Sequence, residues 1–157
     1  MEIEYLAYHL DFTPTLAKWH YDQWKHFVDG DTVERRLQLL HARANRGAVP
    51  TVVFEGAQLR GSATLAEHDM DTRLDLTPWL CDVIVAPEFR RRGIASALVR
   101  RIVGEAAELG IAELYLFTTG QMREDLYAGL GWSARERPIY RGIERVLMSI
   151  TPTSLSR

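Results

Sequence analysis

The sequence predicts an α/β fold built on a mixed β-sheet. Along its 157 residues the patterns run strand, two helices and hairpin, and then strand, helix, strand, helix and strand. A chain of this length fits one domain, since domains most often have about 100 to 150 residues. The nearly continuous apolar run in "WLCDVIVAP" is typical of a central strand that is covered on both faces.

The first half of the chain supplies a strand and two helices. The aromatic-rich "EIEYLAYHL" roughly alternates and predicts a first strand. Apolar residues at helical spacing predict a first helix from Thr15. Asp31 followed by Glu34 has the spacing of a capping box and predicts the start of a second helix, which Asn45 and Gly47 can end.

The later elements follow from turn residues between apolar runs. Two β-rich runs around residues 55–57 predict a hairpin, and the polar, acidic residues 69–78 predict a loop. Pro87 ends the central strand, and a helical apolar face then runs from Ile94 to Gly110. The remaining elements are a strand in "IAELYLFTT", a short helix in "QMREDLYAGLG" and a last strand in "IERVLMSI".

Composition narrows the function classes. A net charge of −2 gives no general basic field, so a nucleic-acid partner would need a local patch. The single cysteine, Cys81, leaves no internal disulfide or cysteine-rich zinc site and predicts a reducing, cytoplasmic location. The acidic N-terminal segment and the absence of about 18 consecutive apolar residues argue against secretion and membrane insertion. Five scattered histidines predict no metal site.

An arginine run stands at the start of the third predicted helix. Arg90, Arg91 and Arg92 meet the positive end of the helix dipole, where cations are unfavourable. The unpaired backbone N–H groups there bind phosphate, and Gly93 and the small Ala95 allow a ligand to approach closely. A multiply charged anion would offset the repulsion. The alternative is that the arginines are simply solvated, which costs a few tenths of a kcal/mol each.

Two segments carry a family resemblance. "VIVAPEFRRRGIASALVRRI" resembles the acetyl-CoA-binding motif of the GNAT superfamily of N-acetyltransferases, Arg/Gln-x-x-Gly-x-Gly/Ala, with Arg90, Gly93 and Ala95 at the fixed positions. "LYLFTTGQMREDLYAGLGW" is similar to the next segment of that family. The resemblance implies a single GNAT-like domain over residues 1–151 and a C-terminal tail over 152–157. It also implies a mostly antiparallel mixed sheet of about six to seven strands, flanked by about four helices.

The resemblance also implies an activity and a site. The protein would be an N-acetyltransferase that moves the acetyl group of acetyl-CoA, its co-substrate, to a primary amine of a small molecule or peptide by direct attack in a ternary complex. No metal is implied.

The resemblance also implies the site residues. The tyrosine near the thioester sulfur would be Tyr127. The residues implied in cofactor binding are Val83, Ile84 and Val85 along the pantetheine arm, with Val85 nearest the oxyanion, and Arg90, Arg91, Arg92, Gly93, Ile94, Ala95 and Ser96 around the pyrophosphate. Many members have an asparagine where this chain has Gly120, and Thr118, Thr119 or Gln121 would substitute for it.

The chemistry needs a proton acceptor. An alkyl amine of pKa about 10.4 is neutral in only about one molecule in 2,500 at pH 7. Asp82 on the central strand is the candidate base, although a hydrogen bond to a loop backbone is an equal alternative; Glu67 and His68 are alternatives that could act through water. Tyr127, with a reference pKa of about 10, would stabilise the thiolate by a hydrogen bond rather than by full proton transfer.

The partners are predicted only by class. Acidic residues in two loops would suit a cationic amine: Asp69, Asp71 and Asp75, and Asp29 and Asp31. Six aromatic residues are either core anchors or substrate contacts: Trp19, His20, Trp24, His26, Trp79 and Trp132.

Relatives suggest a homodimer, and neither nucleic acid nor a membrane is expected as a partner. The rival functions are a non-catalytic acetyl-CoA sensor and a nucleic-acid module that uses the arginine run with Arg100 and Arg101.

Overall fold

A computed structural model of the chain describes residues 1–45 and 49–153, and it describes side chains outside residues 45–53. The helices are α1 (Thr13–Trp24), α2 (Val33–Asn45), α3 (Ile94–Glu108) and α4 (Gln121–Gly129). The strands are β1 (Glu2–Tyr5), β2 (Val49–Glu55), β3 (Gln58–Ala66), β4 (Trp79–Val85), β5 (Leu114–Thr118), β6 (Ser133–Glu136), β7 (Ile139–Tyr140), β8 (Ile143–Glu144) and β9 (Val146–Ile150). Among the described helices, none combines the length and the apolar character needed to cross a membrane.

The strands confirm the predicted α/β fold. Seven of them form one sheet in the order β1-β2-β3-β4-β5-β9-β6, and β7 and β8 form a separate ribbon. The β1–β2, β5–β9 and β6–β9 pairs are antiparallel, whereas β4 and β5 run parallel with Trp79 opposite Tyr115. The mixed sheet confirms what the element order predicted, and its mostly antiparallel strands with four helices confirm what the family resemblance implied.

Three local predictions needed correction. The first strand ends at Tyr5, because the next residues form 3₁₀ turns that bury Leu6 and Phe12. The capping box at Asp31 is wrong by one residue, since the Thr32 hydroxyl caps α2 by accepting the N–H of Arg35 at 3.0 Å. Strands β6 and β7 were missed because their residues show no alternation of apolar and polar side chains. Helix α2 ends at Asn45, one of its two predicted end residues. The other, Gly47, and residues 154–157 of the predicted tail lie outside the described residues, so the tail boundary stays a prediction.

The chain forms two compact units, each made of two chain segments. The first unit comprises Met1–Thr64 and Asp82–Leu98. Its core includes Leu6, Phe12, Leu16, Ala17, Leu40, Phe54, Leu59 and Ile84. The second unit comprises Leu65–Cys81 and the chain from Val99 onward. Its core includes Met70, Trp79, Tyr140 and Leu147.

Gly61 of β3 lets α3 and β4 approach closely within the first unit. A Cβ atom at Gly61 would lie 2.8 Å from the carbonyl oxygen of Ile84, 3.3 Å from the Leu98 side chain and 3.4 Å from that of Ile94. The first turn of α3 therefore packs directly on the strands at this glycine. The same packing fixes the position of the arginine run that precedes α3.

We expect Gly61→Ala to lower the free energy of unfolding by about 1–3 kcal/mol, as overpacking in cores generally does, because the Ile84 carbonyl is backbone and cannot rotate away. Gly129→Ala is the matched control. It lies in α4, where the added Cβ would meet no described atom within 4 Å beyond its chain neighbours and the backbone of its own helix, and it should be neutral or slightly stabilising. Urea denaturation measures both variants, and equal stability of the two would contradict the packing described at Gly61.

Candidate active site

The arginine turn, residues 90–96, links β4 to α3 through a backbone that twice enters the left-handed region. Arg91 has φ 63° and Gly93 has φ 79°. Glycine adopts this conformation freely, whereas an arginine there is strained by about 1–2 kcal/mol. Turns with successive N–H groups of this kind form concave sites for anions.

The backbone donors of this turn are unpaired. The first hydrogen bond of α3 runs from the Ala97 N–H to the Gly93 carbonyl at 3.0 Å. Within the described residues, the six N–H groups from Arg91 to Ser96 donate to no acceptor. The residues from Arg90 to Gly93 are exposed, so the donors of Arg91, Arg92 and Gly93 are open to a ligand from solvent.

Two of the three arginine side chains, those of Arg90 and Arg92, contact neutral groups. The Arg90 Nε donates to the Val85 carbonyl at 3.0 Å, and the Arg92 Cζ lies 5.5 Å from the centre of the Phe89 ring. Among the described side chains, no carboxylate lies within ion-pair distance of Arg90, Arg91 or Arg92. Their positive charge is therefore uncompensated where the helix dipole adds to it.

Asp82 interrupts β4 and forms a buried ion pair. Its φ of 56° is left-handed, and its side chain is 13% exposed. Its carboxylate pairs with the guanidinium of Arg43 on α2. Burial by itself would raise the pKa of Asp82, but the charge and the hydrogen bond of Arg43, with smaller contributions from neighbouring positive charges, together outweigh burial, and the pKa lies below its usual value. Asp82 is therefore ionised at neutral pH, and its role as the base stays a prediction.

Tyr127 lies on α4 with its ring buried. The side chain is 8% exposed, and its ring meets that of Trp132 edge-on at 6.1 Å between centroids. Its hydroxyl makes no hydrogen bond within the described residues. Burial raises the pKa of Tyr127 to about 12, against a small opposing effect of Arg123. The hydroxyl therefore stays protonated and is available as a donor.

The family model for the acetyltransferase (GNAT) family matches residues 13–132, which is 120 of the 157 residues. The chain belongs to the GNAT acetyltransferase family. The matched segment contains Asp82, the arginine turn and Tyr127. The family resemblance identified from the sequence is thereby confirmed.

Solved structures share the fold of this GNAT protein at low sequence identity. An aminoglycoside 6'-N-acetyltransferase complexed with coenzyme A has a TM-score of 0.77 at 15% identity, over 98% of each chain. A ribosomal-protein-alanine N-acetyltransferase from Brucella melitensis has a TM-score of 0.75 at 19% identity, over 96% of this chain and 99% of that one. A spermidine N-acetyltransferase from Vibrio cholerae, in complex with CoA and spermine, has a TM-score of 0.71 at 18% identity, over 96% and 95%. The comparison with curated proteins found no match.

The three predicted substitutes for the family's asparagine differ in this GNAT protein. Thr118 is buried, and Thr119 is exposed with its hydroxyl 3.4 Å from an Nη atom of Arg145. The Gln121 amide donates to Asp125 on its own helix at 2.8 Å. Arg145, which the sequence reasoning missed, is a buried cation at 8% exposure. Burial lowers its pKa, and Tyr140 opposes this shift.

The other candidate residues divide into packing and exposed positions. Trp79 and Trp132 are buried, which supports their interpretation as core anchors. The Trp19 and Trp24 rings pack against the core of the first unit, whereas His26 is exposed. The alternative bases face solvent: the side chain of Glu67 is 84% exposed and that of His68 is 40% exposed.

The acidic loops are less negative than the sequence suggested. Asp31 pairs with Arg36 at 2.8 Å and with Arg35 at 2.9 Å. In the other loop, Asp75 pairs with Arg73 at 3.1 Å, and Asp71 pairs with Arg141 at 3.2 Å. Arginines therefore offset the charges on which the prediction of a cationic acceptor depended.

His20 of α1 is buried beside Asp82 and Arg43. It is 1% exposed, its ring lies 5.2 Å from that of Trp24, and its Nε2 has no hydrogen-bond partner among the residues that the structure describes. Burial lowers the pKa of His20 to about 4, although the charge of Asp82 opposes this shift. The imidazole is therefore neutral in the folded protein at neutral pH.

The folded protein should lose stability with acid because of His20. An unfolded histidine of pKa about 6.5 takes up a proton before the folded one does, so the stabilisation present above pH 6.5 is lost progressively down to about pH 4. We expect a decrease of about 2 kcal/mol in the free energy of unfolding between pH 7 and 4.5. Urea denaturation should show a smaller decrease for His20→Gln, whereas His26→Gln should match the wild type. Equal decreases in all three proteins would contradict the prediction.

Proposed function

We propose that this protein is an N-acetyltransferase that moves the acetyl group of acetyl-CoA to a primary amine of a small molecule or peptide by direct attack in a ternary complex. The observation that carries the proposal is the arginine turn. Six unpaired N–H groups and three arginines without carboxylate partners in the described residues suit a pyrophosphate, which offers several acceptors and more than one negative charge. Simple solvation of the arginines would not account for the left-handed backbone that opens the same turn.

The proposal assigns separate tasks to the residues around the phosphate site. Residues Arg91 to Ser96 hold the pyrophosphate with their backbone, and Arg90, Arg91 and Arg92 add charge-assisted contacts. Val83, Ile84 and Val85 bind the pantetheine arm as a strand edge, and a strand N–H at Val85 stabilises the oxyanion. Thr118 and Thr119 replace the contact that the family's asparagine makes. These assignments follow the family pattern and the positions of the residues on β4, β5 and α3.

Tyr127 is proposed to stabilise the leaving group. The amine nitrogen bonds to the acetyl carbon, the carbon–sulfur bond breaks, and coenzyme A leaves as a thiolate. Donation of a full proton from a tyrosine of pKa about 12 to a thiolate of pKa about 8.5 is uphill by roughly 5 kcal/mol. A hydrogen bond from the hydroxyl stabilises the sulfur anion without that transfer, and water then protonates it.

Asp82 is proposed to receive the proton that the amine loses. Its pairing with Arg43 makes Asp82 a weak base that is already ionised. The carboxylate attracts the cationic form of the amine, accepts the proton that the nitrogen gives up as it bonds to the acetyl carbon, and passes this proton to water. Because its pKa lies below the usual carboxylate value, its titration should contribute no acid limb to activity above pH 5. Asp82 remains preferred over Glu67 and His68, because those two side chains are exposed to bulk water.

The acceptor is proposed to be a small primary amine. Two of the similar structures are named for aminoglycoside and spermidine acetylation, and a third is named for ribosomal-protein-alanine acetylation. Since arginines offset the charge of the acidic loops, these loops do not favour a highly charged polyamine over other amines. The cytoplasm is proposed as the compartment from the lone free cysteine, and a homodimer is proposed from the resemblance alone.

Two measurements test the function together. Calorimetry should show saturable binding of coenzyme A, and thiol release from acetyl-CoA should increase with at least one member of a panel of amines. The panel contains an aminoglycoside, spermidine, free amino acids and a peptide with an N-terminal alanine. Binding without thiol release across the panel would favour a sensor. A salt-dependent gel shift that coenzyme A does not displace would favour a nucleic-acid module.

A further inference from the structure

A group of buried polar side chains joins α1, α2 and β4 within the first unit. Arg36 is 6% exposed, and its Nε donates to Asp31 at 2.8 Å. Arg43, about two helical turns further along α2, pairs with Asp82 on β4. His20 of α1 lies in the electrostatic field of all four of these charges. The group thus includes Asp82, which is the proton acceptor in the proposed reaction.

The backbone at Asp82 needs support from its surroundings. A non-glycine residue at φ 56° in the middle of a strand is unfavourable by about 1–3 kcal/mol and persists only where neighbouring contacts hold it. The ion pair to Arg43 is such a contact. It fixes the direction of the carboxylate as well as its charge, because a guanidinium donates in one plane.

Arg43 is the main source of positive charge at Asp82 near neutral pH. A protonated His20 would also favour the carboxylate, but burial keeps His20 neutral. Arg36 is engaged with Asp31 and acts on Asp82 only through a longer-range field. An arginine does not lose its proton in the accessible pH range, so the Arg43 charge is permanent. Removal of this charge would leave burial, which favours the neutral acid.

We propose that Arg43 is a positioning residue for the transfer reaction, which holds the buried Asp82 carboxylate charged and oriented from across the α2–β4 contact. This inference rests on the proposed function, since it assigns Asp82 a part in that reaction. Arg43 itself touches neither substrate nor reacting atoms in this role. Its effect on the rate is exerted through Asp82.

The experiment compares Arg43→Gln with Arg35→Gln. Both variants remove one charge from α2, but Arg35 pairs with Asp31 and its side chain is 52% exposed. We expect Arg35→Gln to keep the wild-type pH profile of kcat/KM. In Arg43→Gln the ratio of mutant to wild-type kcat/KM should fall as the pH is lowered from 8 to 6, by up to about tenfold per pH unit once Asp82 is protonated. Arg43→Lys should restore most of the wild-type profile because it keeps the charge.

A structural role alone predicts a different outcome. If Arg43 only supported the fold, the ratio would be lower than one but constant with pH, and this result would overturn the inference. Calorimetry with coenzyme A should give the wild-type affinity for Arg43→Gln, because the arginine turn is unchanged. Loss of coenzyme A binding in this variant would also count against the inference.

A direct titration separates this inference from the proposed function. The Asp82 carboxyl carbon, assigned by its absence in Asp82→Asn, should titrate at higher pH in Arg43→Gln than in the wild type. Unchanged titration overturns the role of Arg43 even if the enzyme is active. An upward shift in a protein that shows no thiol release with any amine supports the electrostatic role of Arg43 and contradicts the proposed reaction.

Discussion

Replacement of Arg91 by glutamate is expected to weaken coenzyme A binding by roughly 10- to 100-fold, because a hydrogen bond between charged groups contributes about 1.5–3 kcal/mol. Arg91 is exposed and its side chain makes no contact that holds the fold within the described residues. Arginine and glutamate are both unbranched at Cβ, so the left-handed backbone at φ 63° is about equally strained in either protein. Calorimetry at fixed ionic strength measures the change in the dissociation constant.

Arg100→Glu is the matched control for this substitution. Arg100 is also exposed, lies on α3 and gives the same change in net charge. We expect its effect to be less than about threefold, because exposed charges far from the ligand are screened by salt. Equal losses in both variants would indicate a general field effect, and unchanged binding by Arg91→Glu would place the phosphate elsewhere. The affinity of the wild type should also fall more steeply with added salt than that of Arg91→Glu.

Tyr127→Phe is expected to lower kcat by about 100-fold while the dissociation constant of coenzyme A stays within about twofold, since removal of one hydrogen-bond donor to a charge that develops in the transition state typically costs about 10²- to 10³-fold in kcat. The substitution removes only the hydroxyl and keeps the ring that packs against Trp132. Because the pKa of Tyr127 is about 12, its loss of a proton should produce no alkaline limb below about pH 11 in the wild type. Steady-state kinetics of thiol release with the best amine measure both effects.

Tyr140→Phe controls for the loss of a buried tyrosine hydroxyl in the same unit. Tyr140 is 6% exposed, and its hydroxyl accepts the Asp71 N–H at 3.4 Å. This long contact predicts a small effect on stability and no specific effect on kcat. Equal reductions of kcat in the two variants would show that Tyr127 matters only for packing. A full loss of coenzyme A binding in Tyr127→Phe would also contradict its role at the leaving group.

Local patterns predicted most of the elements of the fold. The apolar run of β4, Pro87, the arginines and Gly93 follow one another within a few residues, so short-range geometry alone indicates a strand, a turn and a helix. The unpaired N–H groups of the turn follow from the same reasoning, because every helix start leaves its first donors without internal partners. The strand at residues 133–136 was missed for the converse reason. All four of its side chains are exposed, so no pattern of burial marks it.

The sequence by itself predicted the order of most elements, the arginine turn and the family, since these depend on residues close together in the chain. Only the tertiary structure decided the electrostatic partners. Arg43 and Asp82 are 39 residues apart in the sequence, and His20 is further still from Asp82, so no local spacing rule could have predicted that the three lie together. The same holds for Gly61, whose small size matters only because Ile84 and Leu98 fold against it. Charge pairing and burial depend on distances through space, which the packing of helices on strands sets after local structure is chosen.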